Sequence, residues 1–257
     1  MKKSLGIVFC LLFGLLSRAQ VRETETTMLW TLLGVNADLN DKFDLSYYQL
    51  HSFSFNSSSL NFIQPDLELG YDLAPDWDVK LGYSPTFSLD GVAGNQLVYH
   101  RISARVRLSS HLGRRFRMKN ALVAEQHFTQ RSKFKQRYYY RLDLYYRDTD
   151  LPWRLRPFVN QRFYYYANGQ KLQYFNTDGE PTAYESPNGF HAYRLQIGVK
   201  VYPIDHFNFS IFYLKQKEFN SRLFNSRDIN TIDPNTNTVS RKFYDFTTIG
   251  LSCSYNL

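Results

Sequence analysis

Thr247-Thr248-Ile249-Gly250-Leu251-Ser252-Cys253-Ser254-Tyr255-Asn256-Leu257 decides the fold. Apolar side chains occupy positions 249, 251, 253, 255 and 257, and small or polar ones occupy 248, 250, 252, 254 and 256. Successive strand residues point to opposite faces, so a period of two reads as a β-strand with one apolar and one wet face. The same alternation recurs through most of the chain, which predicts an all-β protein.

An amphipathic final strand that ends in an aromatic and an apolar residue has the form of an outer-membrane assembly signal. Ile249, Leu251, Cys253, Tyr255 and Leu257 would present it to the barrel-assembly machinery. The other end of the chain agrees. Lys2 and Lys3 precede an apolar run from Ile7 to Leu16, and small residues at Ser17 and Ala19 offer a cleavage region. That is the pattern of a secretory signal peptide over residues 1–20, too short to span a membrane as a helix. Cys10 follows Phe9 rather than a small residue, which excludes lipidation there. Residues 21–257 are then expected to form one barrel domain in the outer membrane of a Gram-negative bacterium.

Composition narrows the classes. The formal net charge is +8; the first 20 residues hold three of the cations and no acid, so the rest carries about +5. No later run of 18 apolar residues exists, which excludes a transmembrane helix. The 20 Tyr and 21 Phe exceed what a soluble core needs, and aromatic girdles at two membrane interfaces would use them. Cys253 is the one cysteine after the signal segment, so no intramolecular disulfide is expected.

Strands are predicted at about 28–39, 43–54, 61–73, 77–89, 97–109, 115–128, 136–148, 153–166, 189–202, 207–219 and 241–257. Each suffices to cross a bilayer at a tilt, which takes roughly 9–11 residues. Short connections (40–42, 74–76, 110–113, 148–150, 203–206) alternate with longer ones (55–60, 90–96, 129–135, 167–188, 220–240). The Asn-, Asp- and Pro-rich segments 167–188 and 225–238 read as solvent-facing loops. Closure is expected, because lipid offers no water to satisfy an open sheet edge. Bacterial barrels have even strand numbers. The prediction is therefore an antiparallel up-and-down transmembrane barrel of twelve strands, with ten as the alternative and a further strand hidden in 21–30 or 220–240. Pro65, Pro85 and Pro157 require bulges or strand ends, since proline cannot donate to the ladder.

The alternation also assigns the faces. Placing Ile102, Ala104, Val106 and Leu108 outward turns Arg101, Arg105 and Arg107 into the lumen. In the same way Arg137, Arg141, Asp143 and Arg147 point inward, as do Arg154, Arg156 and Arg162, and Arg194 and Lys200. Lys119 and Glu125 share the inner face of the strand between them. The reverse register would put arginines on lipid at roughly 2–4 kcal/mol each near the midplane. Asp66, Glu68, Asp72 and Asp78 lie on earlier strands, so an acidic arc and a basic arc are expected to face each other. Two readings follow: an ion-pair network that braces the interior, or a narrow pore with a transverse field that favours anionic solutes.

Catalytic signatures are missing. None of the six histidines has serine two residues later; the nearest case is His127 with Thr129. HExxH, Walker, GxSxG and CxxC motifs do not occur. Neither a cofactor nor a metal is expected. Nucleic acid is excluded, because the positive charge lies within strands rather than on an exposed patch. Outer-membrane lipids and the phosphates of lipopolysaccharide are the expected surroundings.

Tyr99-His100-Arg101, Leu122-Val123-Ala124-Glu125-Gln126-His127-Phe128 and Arg137-Tyr138-Tyr139-Tyr140-Arg141-Leu142 resemble a family of outer-membrane barrels known as domain of unknown function 2490. Tyr193-Arg194-Leu195, Tyr213-Leu214-Lys215-Gln216 and the early Trp30 extend the likeness over most of the chain. The resemblance implies location and fold and brings no reaction. Three function classes stay open: a porin-like or structural barrel with a charged lumen, a lipid-modifying hydrolase, and a barrel that binds partners through its long loops.

Overall fold

The computed structural model describes residues 26–55, 59–89, 96–128, 133–147, 151–239 and 243–257. The expected signal segment lies outside them. The described chain is all-β: β1 (Thr26–Asp38), β2 (Phe43–Ser54), β3 (Leu60–Ala74), β4 (Trp77–Tyr83), β5 (Thr86–Leu89), β6 (Gln96–Tyr99), β7 (Arg101–Leu112), β8 (Phe116–His127) and β9 (Gln136–Tyr146) lead into the second half. There follow β10 (Arg156–Ala167), β11 (Leu172–Phe175), β12 (Pro181–Glu185), β13 (Gly189–Val201), β14 (Phe207–Glu218), β15 (Ile232–Asp233), β16 (Thr238–Val239) and β17 (Phe246–Asn256).

Eleven strands form a closed ring in the order β1, β2, β3, β4, β7, β8, β9, β10, β13, β14, β17 and back to β1. Twelve were predicted, and the difference has a geometric cause. With an odd number, the first and last strands run the same way, so the seam must be parallel. It is: β1 pairs with β17 from Thr26↔Phe246 to Asn36↔Asn256, while the other ten wall pairings are antiparallel. Parallel pairing is slightly weaker per residue, yet it satisfies the backbone, which is what closure requires. Among the described residues no further wall strand forms; the segment between β14 and β17 yields only the two-residue pair β15–β16.

Two prolines explain why the predicted strand 77–89 divides. β4 stops at Tyr83 and β5 resumes at Thr86, with Pro85 in the gap. Across the gap lies Pro65 of β3: β4 pairs with β3 up to Leu67↔Tyr83, and β5 takes over at Ile63↔Phe87. Each proline therefore lies where no ladder bond is asked of it. Pro157 is the second residue of β10. β5 and β6 pair as a hairpin that extends the wall beyond the short β4.

One end of the ring carries the short turns β1–β2, β3–β4, β7–β8 and β13–β14; the other carries the long connections. The long connections are not simply solvated, contrary to the sequence reading. Ile229 (fully buried) and Phe243 pack with Tyr164, Tyr166 and Ala192 of the wall, and Phe134 and Tyr139 lean on this cluster. Leu172 and Tyr174 of the β11–β12 hairpin are also buried. The Tyr174 hydroxyl donates to the Asp228 carbonyl at 2.8 Å, which ties the hairpin to the next loop. Burial pushes the Tyr174 phenol up to about 12.

Candidate functional site: the charged lumen

The ring encloses a cavity of about 890 Å³. Eleven Lys and Arg side chains and five Asp and Glu side chains line it. Strand alternation puts them there. β7 turns Arg101, Arg105 and Arg107 inward, β8 Lys119 and Glu125, β9 Arg137, Arg141 and Asp143, β10 Arg162, β13 Arg194 and Lys200, and β3 Asp66 and Glu68. Asp78 is buried behind Arg107. The outer surface is the converse: Leu81, Ile102, Val106, Leu122, Ile197, Ile211, Ile249 and Leu251 are exposed around the wall. On β17, Thr248, Gly250 and Ser254 are buried, Cys253 is a half-buried free thiol, and the Tyr255 ring packs on Phe207 at 4.8 Å. Leu257 lies past the strand end, exposed, with its N–H donating to the Asn36 carbonyl.

Besides Asp78, four predicted lumen residues do not line the cavity. Arg147 follows the last residue of β9, is exposed, and contacts His111 at 3.1 Å. Arg154 belongs to a short 3-10 turn before β10 and pairs with the exposed Asp205 at 3.0 Å. Asp72 is exposed near the end of β3. Arg156 begins β10, and its guanidinium lies 4.4 Å from the Tyr202 ring centroid. In each case the alternation was extended to or beyond the point where the wall stops.

The charges along one side are paired along the wall, within a strand or one or two strands apart, rather than across the lumen. Arg107 donates to Asp78 at 2.5 Å, and Arg105 to Glu68 at 3.0 Å. Arg101 lies 3.9 Å from Asp66 and 3.5 Å from Glu125; Arg137 donates to Glu125 at 2.6 Å. Arg141 holds Asp143 of its own strand at 2.9 Å, and Asn160 also donates to that carboxylate. Lys80 pairs with Asp44, although their strands are separated by β3. The position between them on the ladder is Gly70, where a Cβ would collide with the Asp44 carboxylate. Gly82 gives similar room between Glu68 and Ser103 on the way to Arg105. Bare glycines thus let ion pairs reach across an intervening strand. The predicted facing acidic and basic arcs are replaced on this side by an interleaved ladder.

Lys119, within this arc, and the cations of β10 and β13 are different. Lys119, Arg162, Arg194 and Lys200 have no carboxylate within 4.0 Å among the described residues, and they lie against rings instead. Arg194 is 5.4 Å from the centroids of Tyr164 and Phe246 and 5.8 Å from Trp30. Lys119 and Lys200 share the Tyr145 ring at 5.7 and 5.4 Å, and Arg162 lies 5.9 Å from Tyr139. Such contacts contribute roughly 0.5–2 kcal/mol each, and they leave the positive charge uncancelled.

Sequence reasoning missed Glu218, Tyr164 and Trp30. Glu218 is buried; it accepts from the Tyr166 hydroxyl at 3.1 Å and from the Gln216 amide at 2.6 Å. Its even register with Leu214 and Gln216 on β14 was the available signal. Glu125 and His127, the one base-like pair in the sequence, are 3.5 Å apart, with Glu125 held by two arginines. Among the described residues no group of three His, Cys, Asp or Glu side chains is placed to hold a metal.

The family model for a protein of unknown function, DUF2490, matches residues 27–225. The chain belongs to the DUF2490 family. The matched span runs from β1 through β14, ten of the eleven wall strands and all of the lining cations named above. The lumen is therefore part of the DUF2490 region rather than an appendage to it. A search of curated proteins finds no match.

Proposed function

We propose that this DUF2490 protein is an integral outer-membrane barrel, exported by its first 20 residues, whose lumen admits small anionic solutes. The observation that carries the reading is the inversion of a soluble protein's pattern. Large apolar side chains are exposed around the wall while guanidinium and ammonium groups are gathered inside. In water that arrangement would expose a belt of Leu and Ile; in hydrocarbon it is the favourable one. The excess of cations over acids along the lumen supports preference for anions, since a low-dielectric wall focuses the field of charges that lack partners.

On this reading the short turns face the periplasm and the long connections face outward. Lipopolysaccharide phosphates surround the outer rim, and the final strand serves the assembly machinery. Two experiments test it. Cell fractionation should place the processed chain in the outer membrane. Purified protein in planar bilayers should conduct with a reversal potential of anion-selective sign, and Lys200→Glu should shift that potential toward cations. A water-soluble chain, or a conducting barrel without anion preference, would overturn it.

A further inference from the structure

Arg162 occupies an unusual place on the inner wall. The ladder sets it directly opposite Arg141 on β9 and directly opposite Arg194 on β13. Directly paired strand positions hold their Cβ atoms about 4.5–5.5 Å apart, and like charges there destabilise a sheet. Three arginines side by side need anions. Arg141 has one in Asp143. Arg162 and Arg194 do not: Arg162 spends only its Nε–H, on the Asn160 side-chain oxygen at 3.2 Å, and Arg194 donates to the Gln216 oxygen, a neutral acceptor, at 2.9 Å.

Two further features mark the spot. The Tyr164 side chain is 1% exposed, lies against Arg194 and Arg137, and its hydroxyl has no hydrogen-bond partner. A buried hydroxyl without a partner is costly, so a native fold normally supplies one. The residues that orient the two arginines are themselves fixed, since Asn160 also holds Asp143 and Gln216 also holds Glu218. The site is braced from behind, and both guanidiniums line the cavity.

From this geometry we infer that Arg162 and Arg194, with Tyr164 behind them, form a binding site for a phosphate group, free or as a monoester. This rests on the lumen being the working part of the barrel, as proposed above. Two adjacent fixed cations call for about two negative charges, which chloride or a monocarboxylate does not bring. Guanidinium forks match the spaced oxygens of phosphate and bind them bidentately. A solute that must pass on should be held weakly enough to leave, so the site selects rather than locks.

Trp30 makes the test direct, because the Arg194 guanidinium lies over its ring while Trp77 and Trp153 are exposed on the surface. Folded protein in detergent, with folding checked by heat-modifiable gel migration, is titrated with inorganic phosphate at constant ionic strength. Trp30 fluorescence should change saturably, with calorimetry giving the same affinity. Arg162→Gln and Arg194→Gln should each weaken binding about ten-fold or more, the scale of a lost charged hydrogen bond. Arg154→Gln, at the exposed turn, should leave it unchanged. Displacement of phosphate by phenyl phosphate at lower concentration would assign the site to esters; weaker displacement would assign it to the free ion. Folded wild type without saturable binding, or unchanged affinity in the folded double variant, would overturn the inference. Anion current without phosphate binding sinks this site and leaves the pore; phosphate binding without current sinks the pore and leaves this site.

Discussion

Glu125 and Arg162 line the same cavity two strands apart, yet their surroundings obey opposite rules. From β2 to β9 the lining cations other than Lys119 are met by carboxylates on the same, the next or the next-but-one strand, some across a bare glycine. On β10 and β13 the cations lie on aromatic faces with no acid beside them. The first arrangement braces a wall. A buried ion pair that loses one member leaves a desolvated charge, so these residues hold one another in place. The second arrangement keeps charge available. Rings anchor the cations without neutralising them, which is what a lumen that attracts anions requires. On the proposed function, bracing falls mainly to β2 through β9 and anion attraction mainly to β10 and β13.

The contrast is sharpest in the sign of a mutation's effect. Glu125→Ala strands Arg137 and leaves Arg101 only Asp66 at 3.9 Å, and should lower unfolding stability in detergent by roughly 3–5 kcal/mol, read from denaturant midpoints. A small effect would mean that the paired side is not a brace. Next comes the comparison of inside with outside. Leu122, 67% exposed on the outer wall, changed to Arg should cost about 2–4 kcal/mol in a bilayer if it lies near the midplane. An unchanged transfer of the variant into lipid would remove the hydrocarbon from the account. Arg162→Gln should do the reverse of Glu125→Ala, leaving stability unchanged or raising it by up to about 1 kcal/mol, because it relieves like-charge opposition. A loss as large as that of Glu125→Ala would erase the distinction between the two sides.

The smallest expected effect separates the wall from its cap. The Tyr174 phenol is raised to about 12 by burial. The folded form then holds its proton more tightly than the unfolded chain, whose tyrosine titrates near 10. The contribution of this group is full below pH 10 and is lost as pH rises to about 12. Hydrogen exchange in the β11–β12 hairpin should quicken over that window, and Tyr174→Phe should flatten the dependence. Quickening throughout the wall instead would show that cap and wall unfold as one.

The two-residue period made most of the wall legible, because a face in contact with one medium must repeat with the strand. Arg101, Arg105 and Arg107 could be placed inward from the cost of the alternative. The period failed at strand ends: Arg147 lies just past β9, Arg154 just before β10, and Asp72 in the exposed last residues of β3. Strand number was misjudged because the even rule assumes an antiparallel seam, and the pairing of Thr26 with Phe246 involves residues far apart in the chain. Pairing partners were invisible for the same reason. Nothing local tells Asp44 that Lys80 lies within reach, or Arg162 that it faces two other arginines. Burial of Ile229 inside an Asn- and Asp-rich segment was hidden by its polar neighbours.

The proposed function requires that the apolar outer face of the wall meet hydrocarbon. Spin labels placed singly at positions 102, 104 and 106, and at 103, 105 and 107, in protein reconstituted into liposomes would measure it. Collisions with oxygen should dominate at 102, 104 and 106, and collisions with a water-soluble nickel chelate at 103, 105 and 107, in strict alternation. Equal access of the chelate to both sets would contradict it.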